Sequence, residues 1–213
     1  MIVTQPLPIL REPTARHPAK LLMVVIAFGL LYGAVMGSYE LRNDRLLQVM
    51  FSACKVPLLL LCTFSIALPS YFVLNTLLGL RDDFADVLRT MIQAQAVFTI
   101  VLASLSPFVI VWYASGVEYP LAIVFNGVLF FISTLASQMA LIRLYRPLVT
   151  RNENHRRALK FWIVIYSFVG IQIAWTMRPF IGAPELPVRF FREGAWSNAY
   201  LEVLHIIGQA MGR

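Results

Sequence analysis

Residues 90–117 read TMIQAQAVFTIVLASLSPFVIVWYASGV, 28 positions without a charged side chain. One acid, Glu118, separates them from a second uncharged run of 24, YPLAIVFNGVLFFISTLASQMALI, at 119–142. A bilayer hydrocarbon core about 30 Å thick is crossed by about 20 apolar helical residues. In that medium every backbone N–H and C=O must be satisfied inside the segment, so uninterrupted runs of this length read as helices. Outward from this pair, three more uncharged runs lie at 21–39 (19 residues), 56–80 (25) and 161–177 (17). The alternating segments of about ten residues that mark a membrane β-barrel do not occur.

Composition agrees. The chain has 213 residues, 59% hydrophobic and 14% charged, with a mean hydropathy of +0.71. A soluble domain carries about 45–50% apolar and about 25% charged residues. Disorder, a disulfide-stapled secreted domain and an ordinary soluble enzyme are excluded. The expected fold is all-α: a polytopic membrane protein with five transmembrane helices plus an interfacial amphipathic C-terminal helix. Residues 1–20 read as a Pro-rich cytoplasmic arm, 21–177 as the transmembrane domain and 178–213 as an interfacial segment. Arg11, Arg16 and Lys20 before the first run mimic a signal peptide. The run exceeds the usual apolar stretch of about 7–15 residues, and further spans follow, so it reads as a retained helix.

Lysine and arginine set the orientation. The N-terminal arm, the second connection and the fourth connection carry 11, six of them between Arg143 and Lys160; the opposite side carries 7. The positive-inside rule puts the N-terminus in the cytoplasm and the C-terminus outside, in a bacterial inner membrane. The net charge of +7 reads as orientation and attraction to lipid headgroups. It does not read as a nucleic-acid surface, for which no basic face with exposed aromatics is present.

The search for chemistry returns little. Cys54 and Cys62 are about 12 Å apart along a helix, too far for a disulfide, and His17, His155 and His205 are scattered. No metal-ligand spacing, phosphate loop or nucleophile motif occurs. The five runs hold no ionisable side chain, the usual mark of an intramembrane site; Lys55 and Glu118 read as boundary groups. The expectation is therefore no enzyme, no intrinsic cofactor, no metal and no identifiable small-molecule substrate. Contact with lipids, or with pigments held by partner subunits, remains open.

The polar residues inside the runs are amides: Asn75, Gln93, Asn126, Gln138 and Gln172. They read as interhelical hydrogen-bonding groups, each contributing about 0.6–2 kcal/mol. Pro57, Pro69 and Pro107 predict kinks in the second and third spans. Gly29, Gly33 and Gly37 recur every fourth residue and predict a groove for close helix packing, against this chain or another subunit. Residues 175–192, WTMRPFIGAPELPVRFFR, hold three prolines, three phenylalanines and three arginines. Arg178, Pro179, Phe180, Phe190, Phe191 and Arg192 read as an interfacial belt. Trp196 opens an apolar stripe (Tyr200, Val203, Leu204, Ile207) expected to lie on the membrane.

From Pro69 through the Gly79 turn, Phe84 and the short amphipathic stretch to Pro107, the chain is similar to the second-to-third-span region of the Yip-type (Ypt/Rab-interacting) five-span membrane family and its bacterial relatives. The similarity covers residues 50–140. The Asp-Leu-Pro-Pro signature of the eukaryotic members is missing from the arm, which removes the basis for a Rab partner. Residues 178–184, RPFIGAP, also resemble a feature of uncharacterised bacterial membrane proteins. The resemblance implies scaffolding or trafficking. The expected function is a non-catalytic scaffold or accessory subunit that binds other integral membrane subunits through helix faces and terminal segments. The alternative is a small transport or channel component using the kinked second and third helices.

Overall fold

The computed structural model describes residues 18–41, 45–192, 195 and 200. Most of the N-terminal arm, Trp196 and the rest of the C-terminal stretch apart from Tyr200 lie outside the described residues. Within them the chain is helical and holds no strand: α1 Pro18–Gly37, α2 Leu46–Leu77, a 3-10 turn Arg81–Asp83, α3 Phe84–Ser104, α4 Ser106–Ala114, α5 Tyr119–Arg151 and α6 Asn154–Thr176. Five helical stretches are long and apolar enough to cross a membrane, namely α1, α2, Arg81–Ala114, α5 and α6.

The helices overrun the uncharged stretches that announce them. α2 has 32 residues and α5 has 33, about 48 and 50 Å at 1.5 Å per residue. α2 starts ten residues before the uncharged run, so Lys55 is an interior residue of the helix and not its boundary. Pro57 and Pro69 are both contained within α2. Pro107 has a larger effect: α3 closes at Ser104, where Leu105 N–H reaches both Val101 O and Leu102 O, and α4 starts afresh with its proline in the first turn. α2 ends on Gly79 (φ 70°), with Leu80 N–H on Asn75 O and Gly79 N–H on Thr76 O. These two bonds satisfy the carbonyls that a helix end orphans.

α1 lies between α2 and α3, α5 packs on α3, and α6 packs on α2. The glycine groove of α1 is filled from within the chain. A Cβ at Gly33 would overlap the Ser52 carbonyl oxygen and lie 2.7 Å from Ala53 Cα; one at Gly37 would lie 2.6 Å from Ser52 Cβ; one at Gly29 would lie 3.3 Å from Pro57. The backbones of α1 and α2 are therefore in near contact, and the α1 groove is not a surface for another subunit.

α5 and α6 meet near their connection, where Leu141, Tyr145 and Leu148 pack with Ala158, Leu159 and Trp162. Away from that hairpin they separate, since each follows a different neighbour. Tyr32, Met36, Leu60, Phe98, Leu102 and Leu129 form a second core nearer the other end.

Candidate functional site

Arg45, Gln48, Ser52 and Lys55 are spaced three, four and three residues apart, which aligns them on one face at the start of α2. All four are buried. They are covered by the chain after α6. Pro179, Pro184 and Pro187 keep that stretch from continuing as a helix, so its carbonyls need donors from elsewhere. The α2 stripe supplies them. Arg45 Nη2 donates to Ala183 O (2.6 Å), Gln48 Nε2 to Phe180 O (3.3 Å), Ser52 Oγ to Phe180 O and Lys55 Nζ to Pro179 O. Tyr119 OH adds a bond to Ile181 O (3.0 Å). The Lys55 ammonium also sits 4.9 Å from the Phe190 ring centroid, a favourable cation–π placement.

The residues expected to form an interfacial belt also pack within the chain. Phe180 packs against the core and Phe190 meets Phe51 edge-on at 5.2 Å. Phe191 stacks edge-on against Phe190 at 4.8 Å. Arg178 and Arg192 place their guanidinium carbons 3.5 and 4.7 Å from the centroid of one ring, Trp175. Proline and arginine content signalled a helix exit; it could not signal that buried donors on α2, over a hundred residues earlier, would draw the segment inward.

Between this segment, α2, α5 and α6 lies a cavity of about 790 Å³, walled by Gln48, Ile123, Asn126, Phe130, Ile181 and Leu186 among others. A second of about 460 Å³ follows between α2, α3, α5 and α6. The two share Leu59, Phe130 and Ala174. They fill the gap left where α5 and α6 diverge.

The amides of the uncharged runs separate into two groups. Asn126 is a cross-link: its Oδ1 accepts from Tyr32 OH (2.8 Å), and its Nδ2 donates to Tyr113 OH (2.9 Å) and Ala122 O (2.8 Å). Asn75 Nδ2 donates to Leu80 O (2.8 Å) and holds the end of α2. Gln93 is buried on α3, and Gln172 is half-buried on α6 with its backbone carbonyl accepting from Thr176 Oγ1. Gln138 lines the second cavity, with its Oε1 buried and without a partner. The structure does not bring these five together.

At the opposite end, residues scattered in sequence converge. His155, fully buried, contacts Asp83 Oδ2 through Nε2 (3.1 Å) and Tyr145 OH through Nδ1 (3.2 Å), and Tyr145 OH meets Tyr71 OH (2.7 Å). Arg151 pairs with Asp83 (3.2 Å) and Asp86 (3.1 Å). No sequence signal links these positions. The α2 stripe, by contrast, was readable once α2 is extended back to Leu46. Comparison with family models, with curated proteins and with solved structures returned no match to this chain.

Proposed function

We propose that this chain is an integral membrane protein of the bacterial inner membrane that works by binding, as a non-catalytic scaffold or accessory subunit of a larger membrane complex. The observation that carries this reading is where its internal polar groups go. Lys55, Asn126, Gln95, Ser137 and His155 bond to backbone or to other side chains of the bundle. Such groups stiffen a frame; an active site presents them to a substrate. The resemblance of residues 50–140 to the Yip-type family supports the same reading.

The partner surface proposed is the outer face of α5 and α6. In their most apolar windows, 22% and 17% of residues are buried within the chain, against 50% for Arg81–Ala114. Photo-crosslinking residues at Phe131 and Val164, both well exposed, test it in native membranes, with Met23 on α1 as reference. One stoichiometric protein should be captured at Phe131 and Val164 and not at Met23. Recovery of lipid adducts alone at all three would end the accessory-subunit reading. Cysteine labelling of the connection around Asn152 tests topology: it should react from the cytoplasmic side.

The two adjoining cavities favour a second reading, a small transport or channel component. It requires solute or ion flux through liposomes that contain this chain alone.

A further inference from the structure

The face of α5 that turns toward α6 carries one amide with nothing to hold. Thr134, Ser137, Gln138 and Leu141 all line the second cavity. Thr134 Oγ1 donates to Phe130 O (2.8 Å) and Ser137 Oγ to Ala94 O (2.8 Å). Gln138 makes no hydrogen bond to any described residue; its Oε1 is enclosed by protein, which leaves the Nε2 donors as the part open to the cavity. An amide left unpaired inside an apolar bundle is costly. On the facing helix, Trp162, Tyr166, Gly170 and Ala174 recur every fourth residue and line the same cavity. Tyr166 OH accepts from Gln95 Nε2 (2.6 Å), and no acceptor for the phenol's own proton is found among the described residues.

The antiparallel register of α5 and α6 gives this cavity two unlike ends. Leu141 and Trp162 belong to the cluster at the hairpin. One turn further Gln138 stands level with Tyr166, and two turns beyond that Phe130 stands level with Ala174. Phe130, Ala174 and Leu59 are the walls shared with the larger cavity. The end at Trp162 and Tyr166 is aromatic and holds the open donors. The other end passes Gly170, where a Cβ would meet only Thr63 at 3.5 Å, and Ala174. No charged side chain lines this cavity among the described residues, so neither an ammonium nor a carboxylate is matched in it. Its volume of about 460 Å³ is within the range of about 300–1,000 Å³ usual for small-molecule sites. These features describe a neutral ligand with a flat ring, acceptor oxygens on it and a long apolar tail.

We propose that the second cavity holds the ring of one membrane quinone, with its isoprenoid tail leading past Ala174 into the larger cavity. One quinone carbonyl accepts from Gln138 Nε2 and the other from Tyr166 OH, with Trp162 beside the ring. Binding alone is assigned, with no redox step. The proposal rests on the membrane reading above, since such a ligand is delivered from a bilayer, and is independent of whether the chain has a protein partner.

The test uses the full-length chain purified in mild detergent. Decylubiquinone is the probe, and decylbenzene, which has a ring and the same tail but no carbonyl, is its counterpart. A quinone quenches indole fluorescence at short range, so binding should appear as quenching that saturates at one quinone per chain. Most of that quenching should be lost in Trp162→Phe. Gln138→Leu, close in size, should weaken the quinone on the order of tenfold, the worth of one hydrogen bond. It should not lower the unfolding temperature of the ligand-free chain, because it removes an unpaired amide. Ala174→Phe should weaken the quinone as well by closing the passage for the tail. Quenching that does not saturate, decylbenzene displacing the quinone at equal concentration, or wild-type affinity in Gln138→Leu or Ala174→Phe overturns the proposal. So does undiminished quenching in Trp162→Phe, which would put the ring elsewhere. Carbonate extraction separates the two readings: release of the chain from membranes overturns the membrane reading, whereas an embedded chain that does not bind the quinone overturns this site alone.

Discussion

The two ends of the bundle satisfy their basic side chains by opposite means. Near the α5–α6 hairpin, Arg151 and His155 face carboxylates: Asp83 takes both, and Asp86 takes Arg151 and, at 3.3 Å, Arg89. Charge there is matched by charge, and two tyrosines complete the chain of bonds. At the other end, Lys55 and Arg45 donate to carbonyls of the chain after α6, with one aromatic ring beside Lys55. Carbonyl dipoles satisfy donors without cancelling the charge. The first end therefore joins side chain to side chain, while the second holds its donors on main-chain carbonyls beside a cavity.

Three substitutions can break or sharpen this contrast, in decreasing order of effect. Gly33→Leu should do the most damage, because the new side chain enters backbone of Ser52 and Ala53 that has no rotamer to change. Overpacking of this kind costs about 1–3 kcal/mol, and more where main chain must move. Thermal unfolding of the purified chain should fall clearly, while Gly29→Ala, with 3.3 Å to Pro57, should fall much less. Equal effects would mean that α1 and α2 do not approach as closely as described.

Lys55→Met comes next. It keeps the length of the side chain but leaves Pro179 O without its donor, at a cost of about 1–3 kcal/mol for an unsatisfied buried group. Loss of an uncompensated charge offsets part of that, so a moderate drop in unfolding temperature is expected, with greater protease sensitivity after Met177. A variant more stable than the parent would show that charge, and not the carbonyl bond, dominates at this end.

Arg151→Gln should do least. Its side chain is largely exposed, and ion pairs of that kind add little to stability and are screened by salt. The small difference from the parent should vanish in concentrated salt. A large, salt-independent loss would place the hairpin network among the main supports of the fold.

Hydropathy alone made most of the architecture legible. Five uncharged runs and the absence of alternation translate directly into helices, because a lipid-facing backbone has few other solutions. The spacing of Gly29, Gly33 and Gly37 announced a close contact, since residues four apart share a face, but left the partner open; the tertiary structure chose α2. Run boundaries misplaced Lys55, because a charged residue ends an uncharged run whether or not it ends the helix. The convergence of Asp83, Tyr145, His155 and Tyr71 was hidden, as it depends on two hairpins meeting in space.

What the sequence determined by itself was local and periodic: which stretches are helical, which faces are small or apolar, and where proline interrupts. What only the tertiary structure decided was which donors meet which acceptors. The carbonyls of 179–183 had to find partners once proline denied them a helix, and the first turns of α2 held the buried donors within reach. That pairing depends on three-dimensional proximity between segments over a hundred residues apart. No periodicity along the chain encodes it.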